Sequence, residues 1–345
     1  METAHRTDGQ GGPRTLATVA SVILMSQLGA VPGHAKPADP WTDSARYRFE
    51  YRVDFSTMKV PDDARLRVWV PYPADTGHQR VLSATVESPW AHTLASDWHG
   101  NRVLYMEGRG APARDLVMQF TFERQPSDGI PASQIRPESP LDPERHIYAA
   151  RLIPLEGIIQ QVATKEGVGA RTDAEKARAL YDYVVKNMRY DKQGTGWGRG
   201  DAIWACDHKR GNCTDFHSLF IGMARSQGIP ARFVIGFLMP ANTEAGPIGG
   251  YHCWADYYED GRGWVPVDAS EASKSGKGEA YFGRIPNDRI EFTVGRDLVL
   301  EPGQNGPPLN FFIYPYAEAD GKLVPQEELR ATFRFERLGD SASTD

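Results

Sequence analysis

The chain has 345 residues, 40% of them hydrophobic and 24% charged, with a formal net charge of −6. This is an ordinary globular composition, long enough for about two domains. With Lys and Arg scattered and the balance acidic, there is no basic footprint for nucleic acid, and that class of partner is excluded.

The first segment reads as an address. Arg6 and Arg14 precede the apolar run 16–28, and small residues then lead to Ala35. A charged region, a short apolar region and a small-residue cleavage site form the pattern of a secretory signal peptide over residues 1–35. The run is interrupted by Ser and Gln and is short for a bilayer span. The expectation is an exported protein, periplasmic or secreted, with no integral membrane segment in the mature chain.

In residues 45–55, Tyr47, Phe49, Tyr51, Val53 and Phe55 alternate with polar residues, which predicts a half-buried antiparallel strand. Leu66, Val68 and Val70 repeat the pattern, as do Leu116, Met118, Phe120 and Phe122. Strands at this spacing between Pro, Gly and Asp turns predict a small all-β sandwich over residues 42–125, with nothing catalytic in it. Residues 126–145, rich in Pro, Ser and Asp, read as a linker to a second domain over 146–345. There Thr172 and Glu175 form a capping box that opens a helix with Ala177, Leu180, Tyr181 and Val184 on one face. A Gly-rich loop follows from 193 to 211, a candidate wall of a substrate cleft.

After that loop, Phe216, Leu219, Phe220 and Met223 recur at helical spacing, so a buried-face helix starts at about Cys213 and stops at Gly228 and Pro230. A thiol at a helix N-terminus meets unpaired N–H groups and the positive end of the dipole, both of which favour thiolate. Residues 231–238, 251–258 and 263–267 read as strands. Pairing of the last two through the turn at Asp260 and Gly261 lets His252 and Asp268 meet across the ladder. Cys213, His252 and Asp268 are thus a nucleophile, its base and the base's orienter. His217, one turn after Cys213, is a rival base without an evident orienter. The remaining strand-like pieces, at 290–295, 309–316 and 331–338, complete or cap the sheet of this domain as a C-terminal β extension.

The motifs Gly211-Asn212-Cys213-Thr214-Asp215-Phe216, Gly228-Ile229-Pro230-Ala231-Arg232, His252-x-Trp254 and Gly263-Trp264-Val265-Pro266-Val267-Asp268 resemble the transglutaminase-like superfamily over about residues 172–270. The resemblance implies an α+β, papain-like catalytic domain, here preceded by the β-sandwich, with Cys213 on a helix and His252 and Asp268 on adjacent strands. It implies acyl transfer from amides, with a protein or peptide substrate, cell-wall peptides included, and no metal or nucleotide cofactor. Hydrolysis is favoured over cross-linking of Gln to Lys; a non-catalytic binding or scaffold module is the reading from another class. For the oxyanion or the cleft the sequence offers Asn212, Tyr190, Trp204 and Trp254 without choosing among them. Cys206, His208 and Cys213 lack the closely paired spacing of a structural zinc site. Three cysteines in an exported chain leave one unpaired; with Cys213 as the free nucleophile, Cys206 and Cys253 are the pair available for a disulfide.

Overall fold

The computed structural model describes residues 39–339, so the expected signal peptide at 1–35 lies outside the described residues. Six antiparallel strands come first: β1 (Ala45–Asp54), β2 (Arg65–Tyr72), β3 (Gln79–Glu87), β4 (His92–Ser96), β5 (Arg102–Arg109) and β6 (Leu116–Arg124). In β1 the alternation is complete, with Tyr47, Phe49, Tyr51 and Val53 buried and the Arg and Glu residues between them at least partly exposed. Residues 126–145 pack against the body of the protein as β7 (Ile130–Pro131) and two 3-10 turns, and the Leu141 carbonyl accepts from the Trp264 indole at 2.8 Å. Their Pro-rich composition dictates irregular backbone and says nothing about detachment.

Beyond them come α1 (Ile158–Glu166), α2 (Asp173–Asn187), β8 (Arg189–Tyr190), α3 (Ala202–His208), β9 (Arg210–Gly211), α4 (Cys213–Ser226), β10 (Ala231–Leu238), β11 (Ala245–Ile248), β12 (His252–Glu259), β13 (Gly263–Val267), α5 (Ala269–Ser275), β14 (Arg289–Val294), β15 (Tyr316–Ala319), β16 (Lys322–Leu323) and β17 (Arg330–Leu338). The capping box of α2 is formed as its sequence requires: Thr172 Oγ1 accepts from Glu175 N at 3.1 Å, and the Glu175 carboxylate accepts from Thr172 N at 3.3 Å. Part of the expected loop 193–211 is helical. Asp201 Oδ1 accepts from the N–H groups of Ile203 and Trp204, both at 3.1 Å, and that cap starts α3. No helix of the described residues is long and apolar enough to cross a membrane.

Three five-stranded sheets result, in the orders β11-β17-β1-β6-β3, β16-β15-β2-β5-β4 and β14-β10-β12-β13-β7. The first two form the sandwich, and each takes in strands from far down the chain. β17 pairs along the whole of β1, with Phe335 opposite Phe49 and Phe333 opposite Tyr51, while β15 pairs with β2. Of the three C-terminal pieces, then, only β14 joins the third sheet; β15 and β17 close edges of the sandwich that would otherwise present unpaired backbone. The segment before β15 crosses as loop.

The third sheet is backed by α4, whose residues 213–225 are all buried. Phe49 joins the two parts of the core: its ring centroid lies 4.9 Å from Phe237 on β10 and 5.6 Å from Phe292 on β14. Sandwich and helix-backed sheet therefore share one hydrophobic interior, and the fold is α+β. Phe49 is fully buried, so Phe49→Ala is expected to cost about 3–5 kcal/mol of stability. Urea unfolding measures it; a loss below about 1 kcal/mol would mean that the two parts do not lean on this ring.

Candidate active site

The site is assembled around the first turn of α4. Asn212 is its N-cap: Oδ1 accepts from Thr214 N at 2.9 Å, and Asp215 Oδ2 reaches back to Asn212 N at 2.9 Å. Cys213 is the first helical residue. Asp215 does more than cap, because its carboxylate also accepts from Gly198 N at 2.7 Å and Gly200 N at 3.0 Å. One buried carboxylate thus fastens the Gly-rich loop to the turn that carries the cysteine. Gly211 has φ +147°, and a Cβ there would lie 2.2 Å from Asp215 Oδ2, so only glycine fits beneath this carboxylate.

His252 begins β12 and Asp268 follows β13 directly. The register that sets Ala255 opposite Val267 brings them together at the open end of the hairpin, with His252 Nε2 2.7 Å from Asp268 Oδ2. Asp268 is fully buried and fully engaged. Its Oδ2 also accepts from Arg289 Nη2 at 2.6 Å, and its Oδ1 accepts from Ser270 Oγ at 3.0 Å and from Glu271 N, at the start of α5, at 2.9 Å. Burial works against this charge, yet His252 and Arg289 hold the carboxyl well below its ordinary pKa. Burial also disfavours a charged His252, but the charge of Asp268 prevails and pushes its pKa up to about 10.

With Nε2 committed to Asp268, Nδ1 is the nitrogen of His252 left for the thiol. Cys213 is 2% exposed and lies beside His252 and Cys253. Burial raises a thiol's pKa, but polar contact with Cys253 and His252 and the positive charge of His252 outweigh it, so Cys213 falls well below the ordinary thiol value. The two shifts run in the directions of an imidazolium–thiolate pair with a carboxylate behind it.

His217 is a different kind of residue. Its Nδ1 is 2.7 Å from the carbonyl of Cys213 and its Nε2 accepts from Ala269 N at 3.1 Å. Those partners assign a neutral ring with the proton on Nδ1, and burial lowers its pKa in agreement. Both nitrogens are spent on fastening α4 to the β13–α5 corner, which removes it as the rival base.

Residues 161–269, which hold Cys213, His217, His252 and Asp268, match the family model of the transglutaminase-like superfamily. The chain carries a transglutaminase-like domain. Over 88% of its length, and 93% of the other chain, it is similar to the crystal structure of a proposed cysteine protease from Cytophaga hutchinsonii, with a TM-score of 0.58 and 15% identity, a likeness of fold. It is 28% identical over 347 residues to an uncharacterized protein of Haemophilus influenzae, covering 87% of this chain and 93% of that one. A 111-residue stretch is 28% identical to the uncharacterized protein YebA of Bacillus subtilis, of which it spans 15%.

The other residues singled out from sequence are dispersed within the transglutaminase-like domain. Asn212 is held at the helix start, where its oxygen caps α4 and one N–H of its Nδ2 donates to Tyr251 Oη at 3.1 Å. Trp254 packs with Val234, Ile285 and Val294. Strand alternation turns it to the side of β12 opposite Cys253, away from α4, so it does not wall the thiol. Trp204 stacks on His208 at 4.5 Å and lies under Gly196, making it a support of the Gly-rich loop. Tyr190 is near the site. Burial raises its pKa, the charge of Cys213 adds to the rise, and its ring lies 6.2 Å from Phe216.

The expected disulfide is absent, and Cys206, Cys213 and Cys253 are all free and buried. Cys206 Sγ faces Lys209 Nζ at the end of α3, whereas Cys253 Sγ faces Thr214 and His217 on α4, so the two thiols address different elements. Among the described residues no group of three His, Cys, Asp or Glu side chains is arranged to hold a metal ion. Arg289 and Tyr251 were not legible as site residues. Arg289 pairs with Asp288 at 2.5 Å while also serving Asp268. For Tyr251 the only signal was its place beside His252.

The charge of Asp268 is what keeps His252 protonated up to about 10. In Asp268→Asn, His252 returns toward its ordinary value of about 6.5, and the thiolate loses its counter-ion above that pH. The pH midpoint of Cys213 alkylation, followed by mass spectrometry with iodoacetamide, is expected to rise toward the free-thiol value of about 8.5. An unmoved midpoint would show that the carboxylate does not tune the pair.

Proposed function

We propose that this is an exported, cysteine-dependent acyl-transfer enzyme that hydrolyses amide or peptide bonds in a protein or peptide substrate. The observation that carries the reading is the 2.7 Å contact between His252 and the buried Asp268, beside a cysteine at the N-terminus of a buried helix. Export is supported by the leader-like run at 16–28, and the relatedness to transglutaminase-like proteins supports the reaction class.

The Cys213 thiolate attacks the acyl carbonyl carbon and forms a tetrahedral oxyanion. The backbone N–H groups of Thr214 and Asp215 already bond to Asn212, which leaves the N–H of Cys213 at the helix start as the donor for that oxygen. The His252 imidazolium gives its proton to the departing amine as the C–N bond breaks and a thioester remains. Water then loses a proton to His252, attacks the thioester and releases the acid, which restores the thiolate. Asp268 holds the imidazole in the tautomer that each transfer needs and stays ionised throughout.

Cys213→Ala and His252→Ala are each expected to abolish turnover of an amide substrate panel by at least about 10³-fold with little change in thermal midpoint, and Asp268→Ala to lose less. Turnover that survives in Cys213→Ala would sink the mechanism. Incorporation of an added amine into product in place of acid would instead assign transamidation. No turnover in the wild-type protein, together with alkylation of Cys213 at the rate of an ordinary thiol, would favour a binding or scaffold module.

A further inference from the structure

The acyl-transfer mechanism uses one thiol, yet the site holds two. Cys253 immediately follows His252 and is fully buried. Its Sγ lies 3.8 Å from Thr214 Oγ1 and 3.7 Å from His217 Nδ1. Thr214 is the residue after Cys213, and that same His217 nitrogen bonds the carbonyl of Cys213 at 2.7 Å. The second thiol is therefore set against the first turn of α4, beside the residue that carries the first. Neither neighbour needs it as a partner: Thr214 Oγ1 is hydrogen-bonded to Tyr251 Oη at 2.9 Å, and both nitrogens of His217 are taken. Cys206 stands apart at the end of α3, facing Lys209.

We propose that Cys213 and Cys253 form an oxidative-modification site that takes a hydroperoxide and closes to a reversible disulfide, so that the nucleophile is held in a recoverable form. The proposal rests on Cys213 being the activated thiolate of the functional reading above. In the first step the thiolate attacks the terminal oxygen of the peroxide: an S–O bond forms, the O–O bond breaks, the alkoxide of the hydroperoxide (hydroxide from hydrogen peroxide) leaves, and Cys213 becomes a sulfenic acid. In the second, Cys253 attacks the Cys213 sulfur. The S–S bond forms as the S–O bond breaks, and the hydroxyl departs with the Cys253 proton as water. Two electrons pass from the two thiols to one peroxide.

The environment separates the two roles. Cys213 is held as thiolate, whereas burial and the neighbouring charge of Cys213 push Cys253 well above the ordinary thiol value. One sulfur is thus primed to meet the oxidant while the other stays reduced until a sulfenic acid forms beside it. Without a second thiol, a sulfenic acid exposed to further peroxide proceeds to sulfinic and sulfonic acids, which common thiol reductants do not reverse. While the disulfide stands, acyl transfer is off; a dithiol reductant restores it.

The test treats the purified, reduced mature chain with a few equivalents of hydrogen peroxide, alkylates the remaining thiols and maps the peptides without reduction. The expected product is a Cys213–Cys253 cross-linked peptide pair with Cys206 still alkylated, and dithiothreitol returns both thiols. In Cys253→Ser, with Cys253→Ala as a second variant should serine disturb the fold, Cys213 is expected to pass to the sulfinic acid, with at least about tenfold less thiol recovered on reduction. The alkylation rate of Cys213 in each reduced variant is measured alongside, because removing Cys253 takes away one of the contacts that hold Cys213 below the ordinary thiol value, and recovery is compared at equal extents of Cys213 oxidation. Over-oxidation of Cys213 in the wild-type chain as fast as in the variants, or a bridge through Cys206, would overturn the proposal while leaving the acyl-transfer reading intact. A Cys213 that reacts with peroxide and iodoacetamide only as an ordinary thiol would overturn both.

Discussion

A carboxylate sealed from water is the constraint around which the site is organised. Asp268 is fully buried, and an isolated charge in that position would be prohibitively costly. It survives because His252, Arg289, Ser270 and the backbone of Glu271 all donate to it. The same contacts fix the neighbours. Asp268 orients His252, caps α5, and receives from β14 the guanidinium that helps to keep it ionised. A buried ion pair of this kind is weak evidence for stability, but its geometric demands are strict. The chemistry proposed for Cys213 follows from that geometry at one remove, since the charge behind the imidazole lets the thiolate exist in an apolar interior.

The nucleophile's own position depends on a second buried carboxylate. Asp215 collects three backbone N–H groups, from Asn212, Gly198 and Gly200. The Gly-rich loop could not be held against α4 without it, nor without glycine at position 211. Arg296 supports the loop from the other side, donating to Ser218 Oγ on α4 at 2.5 Å and to the Gly200 carbonyl at 3.0 Å. The helix start is thus braced on both flanks, and His217 ties it to the corner that carries Asp268. This rigidity is what preorganised catalysis requires, and it also sets Cys253 against the first turn of α4.

The sandwich has no side chain in this chemistry. Its contribution is through the shared core, where Phe49 meets Phe237 and Phe292 from the sheet that carries His252. Its two sheets are completed by β11, β15, β16 and β17, strands that come after the nucleophile in the chain. Folding therefore needs both ends of the described chain before the sandwich edges close, and the pairings of β1 with β17 and β2 with β15 are among the most non-local in the structure.

Much of this was written in local pattern. The alternation of Tyr47, Phe49, Tyr51 and Val53, the capping box at Thr172, the helix from Cys213 and the hairpin joining His252 to Asp268 are short-range features, each with a side-chain period or a turn residue to mark it. What lay outside local pattern went unread. The Pro-rich segment 126–145 packs as part of the body, α3 emerges within a glycine-rich stretch because Asp201 caps it, and β15 and β17 belong to the sandwich. Asn212 was named for its closeness to Cys213, and in the structure its amide oxygen caps the helix that carries that cysteine. The sequence by itself determined which residues form the helix start and the hairpin, because capping and strand alternation act over a few residues. Only the tertiary structure decided that Arg289 attends Asp268, that His217 is a neutral brace, and that Cys253 faces Thr214 and His217 on α4 rather than Cys206, because each depends on how separate elements meet and which buried polar groups must then be satisfied.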